Sequence, residues 1–335
     1  MPRSALALAV LLVAAPAQVA RAQAPQPTEV DREAEYLAAF EAGLEALTKR
    51  ELARSELLFK RCVQLFPDRA VAHYNLACTY SIAGKLEPAV AALRTSFERG
   101  FIDLAHVARD TDLDAIRRSP AFRAAVSDLE QRLLADVGPL LAHVPEGAPR
   151  GAVVWVHDQG ARPDADLAML RAALPDWVVL VPQGVATPRG VAWDGRCEWL
   201  VTTRLRAFWA ERGATLRAHV VAEGALAPQA LELAANNPDL FQGVLAAGSN
   251  LGYAARGAEL AGLRAYLVVA REDPGEVAQG VVARDAFLAA GAPVVLEHYL
   301  LPKGLSKDRA LLLRGLGWLA GSDAKLPGAG EELPF

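Results

Sequence analysis

The run Leu216-Arg217-Ala218-His219-Val220-Val221-Ala222-Glu223-Gly224-Ala225-Leu226-Ala227-Pro228-Gln229-Ala230-Leu231-Glu232-Leu233 reads as a strand, a short turn and a helix. Its first part, ending in Val220-Val221-Ala222, reads as a strand, and most strand-like runs downstream are continuous Val/Ala/Leu stretches, as buried parallel strands should be. Gly224 stands at the middle of the turn, where a side chain would project from the end of the strand. A glycine there tolerates backbone angles that strain other residues.

The same alternation extends to both sides. Strand-like runs cover 140–144, 152–157, 177–182, 216–222, 243–248, 264–270 and 293–301. Helical patterns fall near 164–173, 196–212, 225–236, 276–290 and 306–319. Such alternation predicts a doubly wound, mostly parallel sheet over 140–320. The first two strand runs, joined by Glu146-Gly147-Ala148-Pro149-Arg150-Gly151, read as a hairpin at one sheet edge.

Ahead of this region the chain is helical. Residues 1–22 have the form of an export signal: Arg3, an apolar run from Ala5 to Ala15, and Ala20-Arg21-Ala22 as a cleavage site. The apolar run is too short to span a bilayer. The expected mature chain is therefore periplasmic or extracellular, without a membrane span. Residues 23–35 read as a polar linker and 321–335 as a C-terminal tail. The formal charge of −4 gives no basic face for nucleic acid. Three cysteines are too few for a disulfide scaffold, although Cys62 and Cys78, on neighbouring helices, could pair. No metal-ligand cluster or cofactor fingerprint is present, so no cofactor is expected.

Within 36–135, Gly43, Phe59 and Pro67 recur at the same helical phases as Ala77, Leu93 and Phe101, an offset of 34 residues. Leu76, Ala77, Tyr80, Gly84, Leu86 and Ala89 follow the small and large order of a helix-turn-helix unit. This resembles the tetratricopeptide repeat, which has that period. Ala46 and Phe101 depart from it, where a tyrosine and a proline are usual. Ser119-Pro120 opens a last, capping helix through Leu134. The resemblance implies a peptide or protein partner on the repeat face, around Tyr74, Asn75 and Tyr80. Val137-Gly138-Pro139 breaks the helix, so 36–135 and 140–320 are expected to fold as separate units.

The order of elements after residue 140 resembles the α/β-hydrolase fold, in its phospholipase/carboxylesterase-like and predicted-esterase branch. The stretches that carry this are Val153-Val154-Trp155-Val156-His157-Asp158-Gln159-Gly160, Val181-Pro182-Gln183-Gly184, and Asn237-Pro238-Asp239-Leu240-Phe241-Gln242-Gly243-Val244. That family holds a nucleophilic serine on a strand-to-helix turn. Counting back 14 residues from Pro238 places Gly224 at the serine. The resemblance puts the acid at Asp273. The histidine would lie in the turn after the last strand, where this chain has Leu305. It also puts His157 at the loop that receives the developing oxyanion, with Asp158 in place of a glycine. An anionic side chain there disfavours that charge.

The resemblance thus implies a degenerate esterase scaffold that has lost its nucleophile and its base. The expected function is binding, by the repeat face and by the vestigial cleft around His157 and Asp158. The alternative is a working serine or cysteine hydrolase with relocated groups. Its candidates are Cys197 at a helix start, Ser249 after a strand and His298 within one.

Overall fold

The computed structural model describes residues 28–188, 190–214, 216–255, 260–299 and 305–321. The expected leader, the first part of the linker and the tail beyond Gly321 lie outside the described residues.

Helix α1 (Glu29–Thr48) begins inside the stretch read as a linker. Thr28 caps it: its hydroxyl accepts the Asp31 N–H, and the Asp31 carboxylate accepts the Thr28 N–H. Such a capping box contributes about 1 kcal/mol. Charged residues dominate the first turns, and burial begins only at Tyr36, which is why the segment looked like linker. Then follow α2 (Leu52–Leu65), α3 (Ala70–Ile82) and α4 (Leu86–Glu98), each packed on the one before. Gly43 permits the close approach of α1 to α2, since a β-carbon there would lie 2.9 Å from the Phe59 ring. Helices α5 (Leu104–Arg109), α6 (Asp114–Arg117) and α7 (Pro120–Leu134) close this part. Ser119 accepts the Phe122 N–H and Pro120 takes the first helical position, as its sequence predicts. Cys62 and Cys78 are both free and buried, so they form no bridge. The Cys62 thiol faces the Tyr36 carbonyl and the Cys78 thiol faces the Asp110 carboxylate.

The second part is a seven-stranded sheet. Its elements in chain order are β1 (Leu141–His143), β2 (Ala152–Val156), α8 (Pro163–Ala173), β3 (Val178–Val181), the small hairpin β4 (Val185–Thr187) and β5 (Gly190–Ala192), α9 (Cys197–Glu211), β6 (Ala218–Glu223), α10 (Ala227–Asn236), β7 (Phe241–Ala247), α11 (Leu251–Ala255), β8 (Arg264–Ala270), α12 (Pro274–Ala289), β9 (Val294–Tyr299) and α13 (Arg309–Leu319). The sheet order is β1-β3-β2-β6-β7-β8-β9. Only β1 is antiparallel, and it pairs with β3 rather than β2. The expected β1–β2 hairpin is thus not formed. Every residue of β2 is buried, which suits a central strand between two parallel neighbours, whereas half-exposed β1 suits an edge. This is a doubly wound, α/β-hydrolase-like order.

Side chains alternate between the two faces of the sheet. Val153 and Trp155 join one cluster with Leu170 of α8 and Leu311, Leu312 and Leu316 of α13. Ala152, Val154 and Val156 join a larger cluster with α9, α10 and α12. That larger cluster runs without a break into the helical part, through Leu104, Ala105 and Leu133 to Tyr36. The two parts differ in secondary structure, an α and an α/β part as expected, and buried residues of both belong to this one cluster.

Candidate functional site: a cleft at the strand ends

A cleft of about 330 Å³ opens at the carboxyl ends of β6, β7, β8 and β9, the edge where open parallel sheets bind ligands. Asp158, Glu223, Gly224, Gly248, Glu276, Tyr299, Leu305, Ser306 and Lys307 contribute to its lining, beside apolar atoms from β8.

Gly224 follows β6 directly and begins a short turn into α10, with φ of +66°. The turn is therefore the sharp strand-to-helix elbow that its sequence implied. Gly248, at the end of β7, backs onto it. A β-carbon on Gly248 would lie 2.6 Å from the Gly224 carbonyl oxygen. Leu226, just after the elbow, is buried in the core.

Leu305 also lines the cleft, yet it is fully buried and belongs to the α13-side cluster. No imidazole occupies that place. The preceding residues 301–304 of the turn lie outside the described residues. His298 sits within β9, in register with Val269, and is not part of the cleft lining.

Asp273, where the resemblance put the acid, does something else. Its carboxylate accepts the N–H groups of Gly275 and Glu276, at 2.8 and 3.0 Å, and caps α12. The carboxylate that turns into the cleft is Glu276, which accepts the Ala270 N–H at 2.9 Å. The signal was present in Asp273-Pro274-Gly275-Glu276: Asp before Pro with Glu three residues on is a helix-start pattern. Ser306 was likewise missed as a cleft residue. Its N–H donates to Glu223 at 3.1 Å.

His157 is fully buried and serves packing rather than an open pocket. It stacks on Trp193 at 4.8 Å, and the Trp193 indole N–H donates to its carbonyl. Burial lowers its pKa and keeps the ring neutral. Asp158, by contrast, is exposed at the cleft. On α8, burial and then the charges of Glu223 and Asp164 push Asp166 up to about 6, against the opposing effect of the Trp155 indole.

The other nucleophile candidates fall outside the cleft. Cys197 opens α9 as expected, but it is buried, and burial together with Glu198 and Asp194 pushes its thiol up to about 12. Desolvation outweighs the helix N-terminus here. Ser249 lies one residue beyond Gly248, in a turn where Asn250 takes φ of +61°. Among the described residues no cluster of His, Cys, Asp and Glu could hold a metal ion, and no helix is long and apolar enough to cross a membrane.

On the helical part, Tyr74 is buried, stacked on Phe101 at 4.1 Å, and its hydroxyl donates to Asp110 at 2.6 Å. It offers no free surface, which corrects its place on a binding face. Asn75 donates to the Val71 carbonyl of its own helix. Tyr80 is half-buried, with the ammonium groups of Lys60 and Lys85 over its ring at 5.8 and 5.6 Å.

No family model matches the sequence, and no curated protein matches it. Among solved structures, an uncharacterized protein from Bacillus cereus ATCC 10987 is 14% identical, with 85% of this chain and 98% of that chain covered and a TM-score of 0.42. The carboxylesterase of Bacillus cereus is 15% identical over 52% of this chain and 89% of its own, with a TM-score of 0.40. A carboxylesterase from Mesorhizobium loti gives 15%, 51% and 89%, with a TM-score of 0.38. The fold stands on the strand order and the elbow.

Proposed function

We propose that this chain is an exported binding protein, built from a tetratricopeptide-like module and an esterase-like domain that has no turnover. The observation that carries this is the elbow: Gly224 has no side chain to attack with, and Leu305, at the base's expected place, is core. The cleft remains open to solvent beside apolar walls, so it can hold a small ligand without transforming it. Its carboxylates, Asp158, Glu223 and Glu276, outnumber the one ammonium of Lys307, which favours uncharged or cationic ligands. The helical module adds a surface for a peptide or protein partner. Leu37, Leu44 and Val71 are exposed there, on α1 and α3. The Arg3-to-Ala22 segment supports export to the periplasm or beyond.

The test is hydrolysis of short acyl esters by the purified mature chain, paired with a fluorophosphonate probe. Neither turnover above background nor labelling is expected. Turnover that copurifies with the protein overturns the reading. The hydrolase alternative has one observation in its favour, the Ser306 hydroxyl beside Lys307 in the cleft. Loss of any such turnover in Ser306→Ala would establish that alternative.

A further inference from the structure

The loop after β2 is held from several directions. The Gly160 N–H donates to the Val191 carbonyl of β5 at 2.8 Å. The Gln159 side chain bonds both backbone groups of Trp193, at 3.3 and 3.2 Å. Gly190 packs so close that a β-carbon there would lie 2.6 Å from the Gly160 carbonyl oxygen. Asp158 therefore leaves a pinned backbone, and its carboxylate leans over the elbow. One oxygen accepts the Gln159 N–H at 2.8 Å. The other lies 3.1 Å from the position that a β-carbon on Gly224 would take.

We propose that Asp158 is a resident anion of the cleft and its specificity-determining residue: it fills the elbow with its own negative charge and excludes carboxylate, phosphonate and phosphate ligands. This rests on the reading of the cleft as a binding site. Three carboxylates line the cleft, but Glu223 and Glu276 are each engaged by a backbone N–H of another segment, from Ser306 and Ala270. Only Asp158 stands against the bare face of Gly224. An incoming anion at the elbow would meet this carboxylate at hydrogen-bond range without a proton to share, and would find the Gln159 N–H already taken. Like charges at such a short distance repel. A neutral donor or an ammonium would be welcomed by the same group.

The experiment compares the full mature chain with Asp158→Asn, which keeps the shape and the acceptor for Gln159. Phenylphosphonate and benzylamine are the probes, followed by calorimetry. Asp158→Asn should bind phenylphosphonate at least roughly tenfold more tightly than the parent, and benzylamine more weakly. Equal phenylphosphonate affinity in both proteins overturns the proposal. Absence of binding of either probe to either protein would count against the binding-cleft reading. A second measurement then decides the role of Asp158 by itself. A thiol placed at the elbow by Gly224→Cys should titrate above the ordinary range, and adding Asp158→Asn should lower it by about one unit or more. An unchanged thiol titration overturns the proposal, whatever the ligands do.

Discussion

Arg196, at the start of α9, donates from its buried guanidinium to the Leu133 carbonyl at the end of α7, at 2.8 Å. It also pairs with Asp136 at 2.7 Å and with Asp194 at 2.9 Å. A second tie lies nearby. Arg109 of α5 pairs with Glu198, which also accepts from Asn237 at the end of α10 at 2.8 Å. The helical part thus grips α9, and through Glu198 it reaches the helix that follows the elbow.

Arg196→Ala should therefore destabilise the whole chain, not one half. It leaves the Leu133 carbonyl without its partner and removes two ion pairs, a loss of about 2 kcal/mol. Chemical denaturation followed by both near- and far-ultraviolet dichroism should show one transition, shifted to lower denaturant. Two separated transitions would mean that the halves fold independently.

The elbow has a second prediction in its glycines. Gly224→Ala places a β-carbon at φ of +66° against a carboxylate that can swing aside. It should cost about 1–2 kcal/mol. Gly248→Ala adds φ of +152° and a clash with the Gly224 backbone, which cannot move aside. It should cost more, about 3 kcal/mol. Midpoints of urea unfolding rank the two, and the reverse order would contradict the packing of β7 on the elbow.

Thiol chemistry offers a third check. Burial pushes Cys62 up to about 11 and Cys197 up to about 12, and raises Cys78 further. None should react with an aromatic disulfide reagent in the native protein at neutral pH, and all three should react after unfolding. Rapid native labelling of Cys197 would revive it as a candidate nucleophile.

His219 gives a dependence on pH. It is buried in β6 at the far end from the cleft, and burial, then the charges of Arg264 and Arg217, lower its pKa from 6.5 to about 4. The unfolded chain takes up the proton first as pH falls. The stability that neutral His219 permits is complete above pH 6.5 and is lost between 6.5 and 4, by about 3 kcal/mol. Replacing it in His219→Gln should flatten the stability profile over that window. An unaltered slope would show that this imidazole does not titrate as its surroundings require.

Local chemistry alone was enough for much of this molecule. The strand of 264–270, the helix opened by Ser119-Pro120 and the sharp turn at Gly224 follow from residue type and spacing, because caps, prolines and buried runs act over a few residues. The small hairpin β4–β5 was missed for the same reason, since its two strands are short and only partly buried. Placement across the chain was decided elsewhere. That β1 lies beside β3, that Tyr74 is sealed by Phe101 and Asp110, and that one core joins both parts depend on contacts between distant segments. The exchange of Asp273 for Glu276 in the cleft is of this kind too, since both carboxylates stand at one helix start and only the packing of α12 on β8 selects which faces inward. Asp158 is the clearest instance. Its residue type was legible as a departure from glycine, but its position over Gly224 comes from a loop pinned by β5 and Trp193, elements more than thirty residues away in the chain.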